Sequence, residues 1–96
     1  MKQSKVLNIL SDFQKNRGDE YQIIRMGVFG SLARNQMTEN SDVDVVVELA
    51  RPDLLAMVGI KQDLEEVLNC PVDIVRYRNR MNSFLKQHIE QEAVYV

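Results

Sequence analysis

One cysteine, two prolines, four glycines and no tryptophan stand among 96 residues. The single thiol, Cys70, excludes an internal disulfide framework and fits a reducing cytoplasm; its apolar neighbours mark it as a core thiol. No apolar run approaches the ~20 residues that a membrane span requires. The opening Met1-Lys2-Gln3-Ser4-Lys5 leads into a charged helix rather than a signal-peptide core. Charge of one sign is scarce too: 12 Lys+Arg against 14 Asp+Glu leave a net −2, so no direct nucleic-acid binding is expected from a basic surface. A hydrophobic share of 45% excludes wholesale disorder. No repeat, low-complexity tract or linker interrupts the chain. Residues 1–96 are expected to form one cytoplasmic domain, burying roughly 60–65% of the unfolded surface.

What the chain does have is concentrated in Gly30 to Asp44, which reads GSLARNQMTENSDVD. Tyr21 to Phe29 reads as a buried strand ending in glycine. Ser31 then precedes Leu32-Ala33-Arg34, a short run of helix formers, and suits an N-cap role. Glycine at a strand end lets the backbone approach a ligand, and the helix start beyond it offers N–H groups to an anion. An ordinary strand-to-helix turn would have the same residues.

Ser41 to Leu49 is a β-branched run in which alternate side chains share a face. Asp42 and Asp44 therefore project together, with Val43, Val45 and Val47 facing a core. Adjacent carboxylates repel unless something compensates them. Mg²⁺ can, because it takes one or two carboxylates together with substrate phosphates; two solvated aspartates at a frayed strand start are the plainer alternative. A third carboxylate, Asp73, lies on the short strand Pro71 to Tyr77, out of phase with Val72 and Ile74. The segment Asp53 to Asn69 between these strands is expected to be a helix with Leu54, Leu55, Val58, Leu64, Val67 and Leu68 as its apolar stripe. A strand–helix–strand crossover favours parallel strands, which sets Asp73 beside Asp42 and Asp44. The Gly-Ser turn joins them only if the first strand runs antiparallel to the second. The expected fold is thus α+β, a small mixed three-stranded sheet with helices in the order α-β-α-β-α-β-α. Val6, Leu7, Leu10 and Phe13 give the first helix its apolar face, with Gly18 at its end. Asn35 to Asn40 is a polar loop. Phe84, Leu85, Ile89 and Ala93 form a stripe on the last helix.

Gly30-Ser31, ten intervening positions, Asp42-x-Asp44 and a later strand aspartate at Asp73 resemble the minimal nucleotidyltransferase domains of the DNA polymerase β-like superfamily. The likeness spans nearly the whole chain, through Ile89 to Tyr95 as the family's terminal helix. It implies that Gly30 and Ser31 contact a nucleoside triphosphate. Asp42 and Asp44 would then bind two Mg²⁺ ions per active site, and Asp73 would help hold the catalytic metal and activate an acceptor hydroxyl. Arg34 matches a basic residue often found just after the helix start. The family commonly has Gly next, where this chain has Asn35; that position suggests a positive φ, which Asn tolerates better than other non-glycine residues.

Domains of this size resemble antitoxins paired with HEPN-type ribonuclease toxins, which they silence by transferring AMP or by binding. The resemblance therefore implies an Mg-dependent nucleotidyltransferase moving AMP from ATP, or another nucleotide from its triphosphate, to a partner protein. A non-catalytic module that neutralises its partner by contact is the alternative, with a small-molecule nucleotidyltransferase third. Self-association through exposed apolar residues is left open. Arg76, Arg78 and Arg80 make a basic row that could meet phosphates or an acidic partner, or be a solvated edge. His88 reads as a surface residue. The stretch Asp42 to Asp53 lacks the glycine and terminal glutamate of a calcium-binding EF-hand.

Overall fold

The computed structural model describes residues 2–36 and 42–96. Eight elements follow one another: α1 (Gln3–Tyr21), β1 (Ile23–Phe29), α2 (Gly30–Ala33), β2 (Val43–Leu49), α3 (Leu54–Leu68), β3 (Val72–Arg76), α4 (Ser83–Glu92) and β4 (Val94–Tyr95). The polar loop expected over Asn35 to Asn40 lies outside the described residues from position 37 on, as does Ser41.

The sheet has the order β3-β2-β1-β4. β1 runs antiparallel to β2, while β2 and β3 are parallel. This is the mixed topology that convergence of the polar residues required. β2 is buried on both faces. Val43, Val45 and Val47 join Val6, Leu10 and Phe13 of α1 and Ile60 and Leu64 of α3 in the main core, while Val46 meets Phe29 and Ile89 of α4 on the other side.

Several features correct the sequence reading. The sheet has a fourth strand, because the expected terminal helix stops at Glu92 and Val94–Tyr95 pair antiparallel with Gly27 and Val28. Val and Tyr favour extended backbone, and Ala93 turns the chain out of the helix at φ −63°, ψ 137°. The first helix does not end at Gly18. It continues to Tyr21, whose ring stacks on Phe13 and whose hydroxyl donates to Asp63 at 2.8 Å, and then closes on Gln22 at φ 57°. The first strand begins accordingly at Ile23.

On α3 the residues turned inward are Ala56, Ile60, Leu64 and Leu68, at four-residue spacing; Leu54, Leu55, Val58 and Val67 face outward. Two apolar faces share this helix, and small residues decide which one meets the rest. Ala56 packs into the core, and a Cβ on Gly59 would meet the Tyr21 hydroxyl at 2.8 Å. The helix start is fixed by Asp53, whose side chain accepts from the Ala56 N–H at 3.0 Å. On α4, Ile89 is buried with Leu85 and Ala93 packed nearby, but Phe84 is exposed.

Gly27 shows how tightly β4 is laid on. A Cβ there would collide with the Val94 carbonyl oxygen and come within 2.8 Å of the Tyr95 Cα. These are backbone atoms of β4, which cannot yield cheaply. Gly27→Ala is expected to cost about 1–3 kcal/mol, read by urea denaturation. It should also remove hydrogen-exchange protection from the Val96 N–H, which donates to the Met26 carbonyl at 3.0 Å.

Candidate active site

Asp44 is the centre of the polar cluster. In the ladder it is the Cα partner of Asp73 on β3 and of Phe29 on β1, the residue just before Gly30. Adjacent strands lie about 4.8 Å apart, so three consecutive strands deliver two carboxylates and the glycine turn to one edge. Asp42 precedes β2 by one residue and is exposed, as is Asp73; Asp44 is half-buried.

The charges feel one another. Burial pushes the Asp44 carboxyl above its usual range, and the negative charges of Asp73 and Asp42 push it further, against a smaller opposing effect from Arg34. A raised carboxylate pKa means the fold disfavours the ionised form. The destabilisation is present above the folded pKa and is relieved as pH falls through it.

Gly30 has φ +70°, and a Cβ there would collide with Asp44 Oδ2 and reach 3.2 Å from its Cγ. Glycine is thus required twice, for the left-handed backbone and for the carboxylate packed against it. Ser31 is not an N-cap: α2 starts at Gly30, and Phe29 occupies the cap position. Four residues are too few for a useful macrodipole, so an anion here would meet local N–H groups, the Ser31 hydroxyl and Arg34. The turn is braced from α1, where Gln3 Nε2 donates to the Leu32 and Ala33 carbonyls at 3.2 and 3.1 Å. Arg34 caps α2, and Asn35 takes the positive φ expected of it, 56°.

Arg34 is held by Glu92, with Nη1 to Oε2 at 2.9 Å, and by Gln36 at 3.1 Å. Sequence reasoning missed Glu92, and no local pattern joins residues this far apart. His88 is at the surface as expected, with Nδ1 3.4 Å from the same Glu92 oxygen. Cys70 packs against the core, and its thiol pKa is raised by burial and then by Asp42, which disfavours a thiolate.

The donor set at this edge is therefore oxygen only. Among the described residues no three ligand-type side chains are gathered tightly enough to make a ready cage. Carboxylate oxygens suit a hard divalent cation that completes its shell with phosphates and water.

The model of the nucleotidyltransferase domain matches residues 4–96. This chain belongs to that family. As a nucleotidyltransferase it has relatives of its own length. One inferred protein adenylyltransferase of Methanocaldococcus jannaschii is 34% identical over 94 residues, covering 97% of this chain and 96% of its own. The protein adenylyltransferase MntA of Thermococcus cleftensis is 32% identical over 90 residues, covering 93% and 90%. Among solved structures, an inferred minimal nucleotidyltransferase superimposes with TM-score 0.79 at 29% identity, over 98% of this chain and 95% of that one. A chain from the complex of a tri-AMPylated Shewanella oneidensis HEPN toxin with MNT antitoxin gives TM-score 0.71 over 97% of this chain and 70% of that one. At 21% identity the second likeness shows the shared nucleotidyltransferase fold.

Proposed function

We infer that this nucleotidyltransferase transfers AMP from ATP to a hydroxyl of a partner protein, as the antitoxin of a HEPN-type ribonuclease toxin. The observation that carries this is Asp44, set in register with Asp73 and pressed against Gly30 at one sheet edge. The relatives named as protein adenylyltransferases supply the nucleotide and the acceptor class.

In this reading the Gly30–Ser31 turn and Arg34 hold the triphosphate. The acceptor oxygen attacks the α-phosphorus in line, the bond to the β-phosphate oxygen breaks, and pyrophosphate leaves. Asp73, exposed at the edge, takes up the hydroxyl proton. Asp42, Asp44 and Asp73 would hold Mg²⁺, which when bound neutralises phosphate oxygens and sharpens the nucleophile. Half-burial of Asp44 keeps one carboxylate fixed and partly shielded from water, where its electrostatic effect on a bound cation is greatest.

Arg34→Ala is expected to weaken binding of a non-hydrolysable ATP analogue about tenfold, as loss of a charge-assisted phosphate contact should. Its Tm should fall by no more than about 4–8 °C, since the solvent-facing Arg34–Glu92 pair is worth ~1 kcal/mol at most; isothermal titration and a melting curve read the two effects.

Transfer from α-phosphate-labelled ATP with Mg²⁺ into a lysate of the source organism tests the function. It is run beside an Asp42→Asn/Asp44→Asn variant shown by circular dichroism to be folded. One protein band labelled by the wild type alone is the expected result. A partner pulled down equally by both proteins, with no label from either, would replace transfer by neutralisation through contact.

A further inference from the structure

β3 lies at the edge of the sheet, and among the described residues no strand pairs with its outer side. A groove of about 590 Å³ lies beside β3, lined by its Asp73, Ile74 and Val75, by Met57 and Val58 of α3, and by Met81 and Leu85. Lys61, Arg76 and Arg78 also line it. Among the described residues neither Arg76 nor Arg78 has an ion-pair partner. The groove mouth is apolar as well: Leu54 is 79% exposed and Val58 44%.

We propose that this groove is the acceptor track, in which an extended acidic segment of the partner protein lies along β3 and delivers its hydroxyl to Asp73. The proposal rests on the transfer reading above and adds how the acceptor is chosen. An open strand edge offers backbone N–H and C=O groups to an extended peptide, and pockets beside it take alternate side chains. The cationic rim selects for acidic residues. The apolar walls favour polypeptide over a nucleic-acid backbone. Continuity with the catalytic edge sets the spacing. Asp73 and Arg76 are three residues apart, roughly 10 Å on a strand, so the acidic side chain should stand about three residues from the hydroxyl.

Two synthetic peptides test this. Each has one tyrosine between leucines; one has glutamate three residues from it, the other lysine. N-acetyltyrosinamide at high concentration serves as an acceptor that needs no track. The wild type should label the glutamate peptide about tenfold faster than the lysine peptide. Arg76→Glu/Arg78→Glu should invert that ratio, and Arg78→Glu alone, in an exposed loop, should reduce it should the double variant misfold. Equal labelling of both peptides by a wild type that labels N-acetyltyrosinamide overturns the track and leaves the transfer reading standing. No label on any of the three, despite Mg-dependent ATP binding, takes both down. Two other outcomes also overturn it: dissociation of a dimer by Arg78→Glu without a change in peptide preference, which makes the groove a contact between copies, and suppression of labelling by polyuridylate without peptide preference, which makes it an RNA surface.

Discussion

Asp44→Asn is expected to lower AMP transfer about 100-fold or more while leaving the protein as stable as before, or more so. Both halves come from the same crowding. The carboxylate is half-buried between Asp73 and Asp42, and its raised pKa records the cost of keeping it ionised. Asparagine keeps the shape and removes that cost, so at neutral pH the variant should melt at the same temperature or higher. As pH falls through the folded pKa of Asp44 the wild type takes up a proton there, so the difference in stability should shrink, and it should be gone once pH is also below the ordinary aspartate value of the unfolded chain. Activity goes the other way, because loss of a preorganised charge at a transferring phosphoryl group costs orders of magnitude. Melting curves across pH and single-turnover transfer read both. A variant equally impaired in folding and transfer would make Asp44 a structural residue.

Gly30→Ala should lose both. Alanine in the left-handed region costs about 1–2 kcal/mol, and its Cβ would displace the Asp44 carboxylate. A shift of an ångström at a catalytic group can cost about 100-fold, so transfer should fall as far as in Asp44→Asn, now with a Tm lower by roughly 4–8 °C per kcal/mol. The collision can be isolated: in an Asp44→Ala background the carboxylate is gone, and Gly30→Ala should cost less there than in the wild type. A zero coupling energy in that cycle would mean the two residues do not touch.

Much of this site could be read from the chain. The alternation of β2 put Asp44 on the face opposite Val43, Val45 and Val47, and the polar residues themselves demanded a mixed sheet, which β1, β2 and β3 form. Asn35 at φ 56° kept the turn that glycine usually makes. Other features were hidden for physical reasons. A periodicity count weighs Leu54, Leu55 and Val58 above Ala56 and Gly59, yet helices approach closest where side chains are small. Gly18 is tolerated inside a helix when later residues such as Tyr21 gain packing. Two residues, Val94 and Tyr95, are too few for a strand pattern to register. The Arg34–Glu92 pair exists only once the chain has folded. The α4 stripe was partly legible: Ile89 and Leu85 pack inward while Phe84 does not.

The register between β1 and β2 has a further consequence. Their one irregularity lies between Ile23 and Arg25, at the end of the ladder remote from Gly30; from Arg25 to Phe29 every step is in phase. The sheet thus works as a ruler with its zero at the Gly30–Asp44 end and its slack at the opposite end. The number of residues joining Gly30 to Asp44 along the chain does not set how far apart they sit. A slip of one residue would turn Asp44 to the other face and empty the site at a stroke, whereas lengthening the connection would leave the alignment untouched.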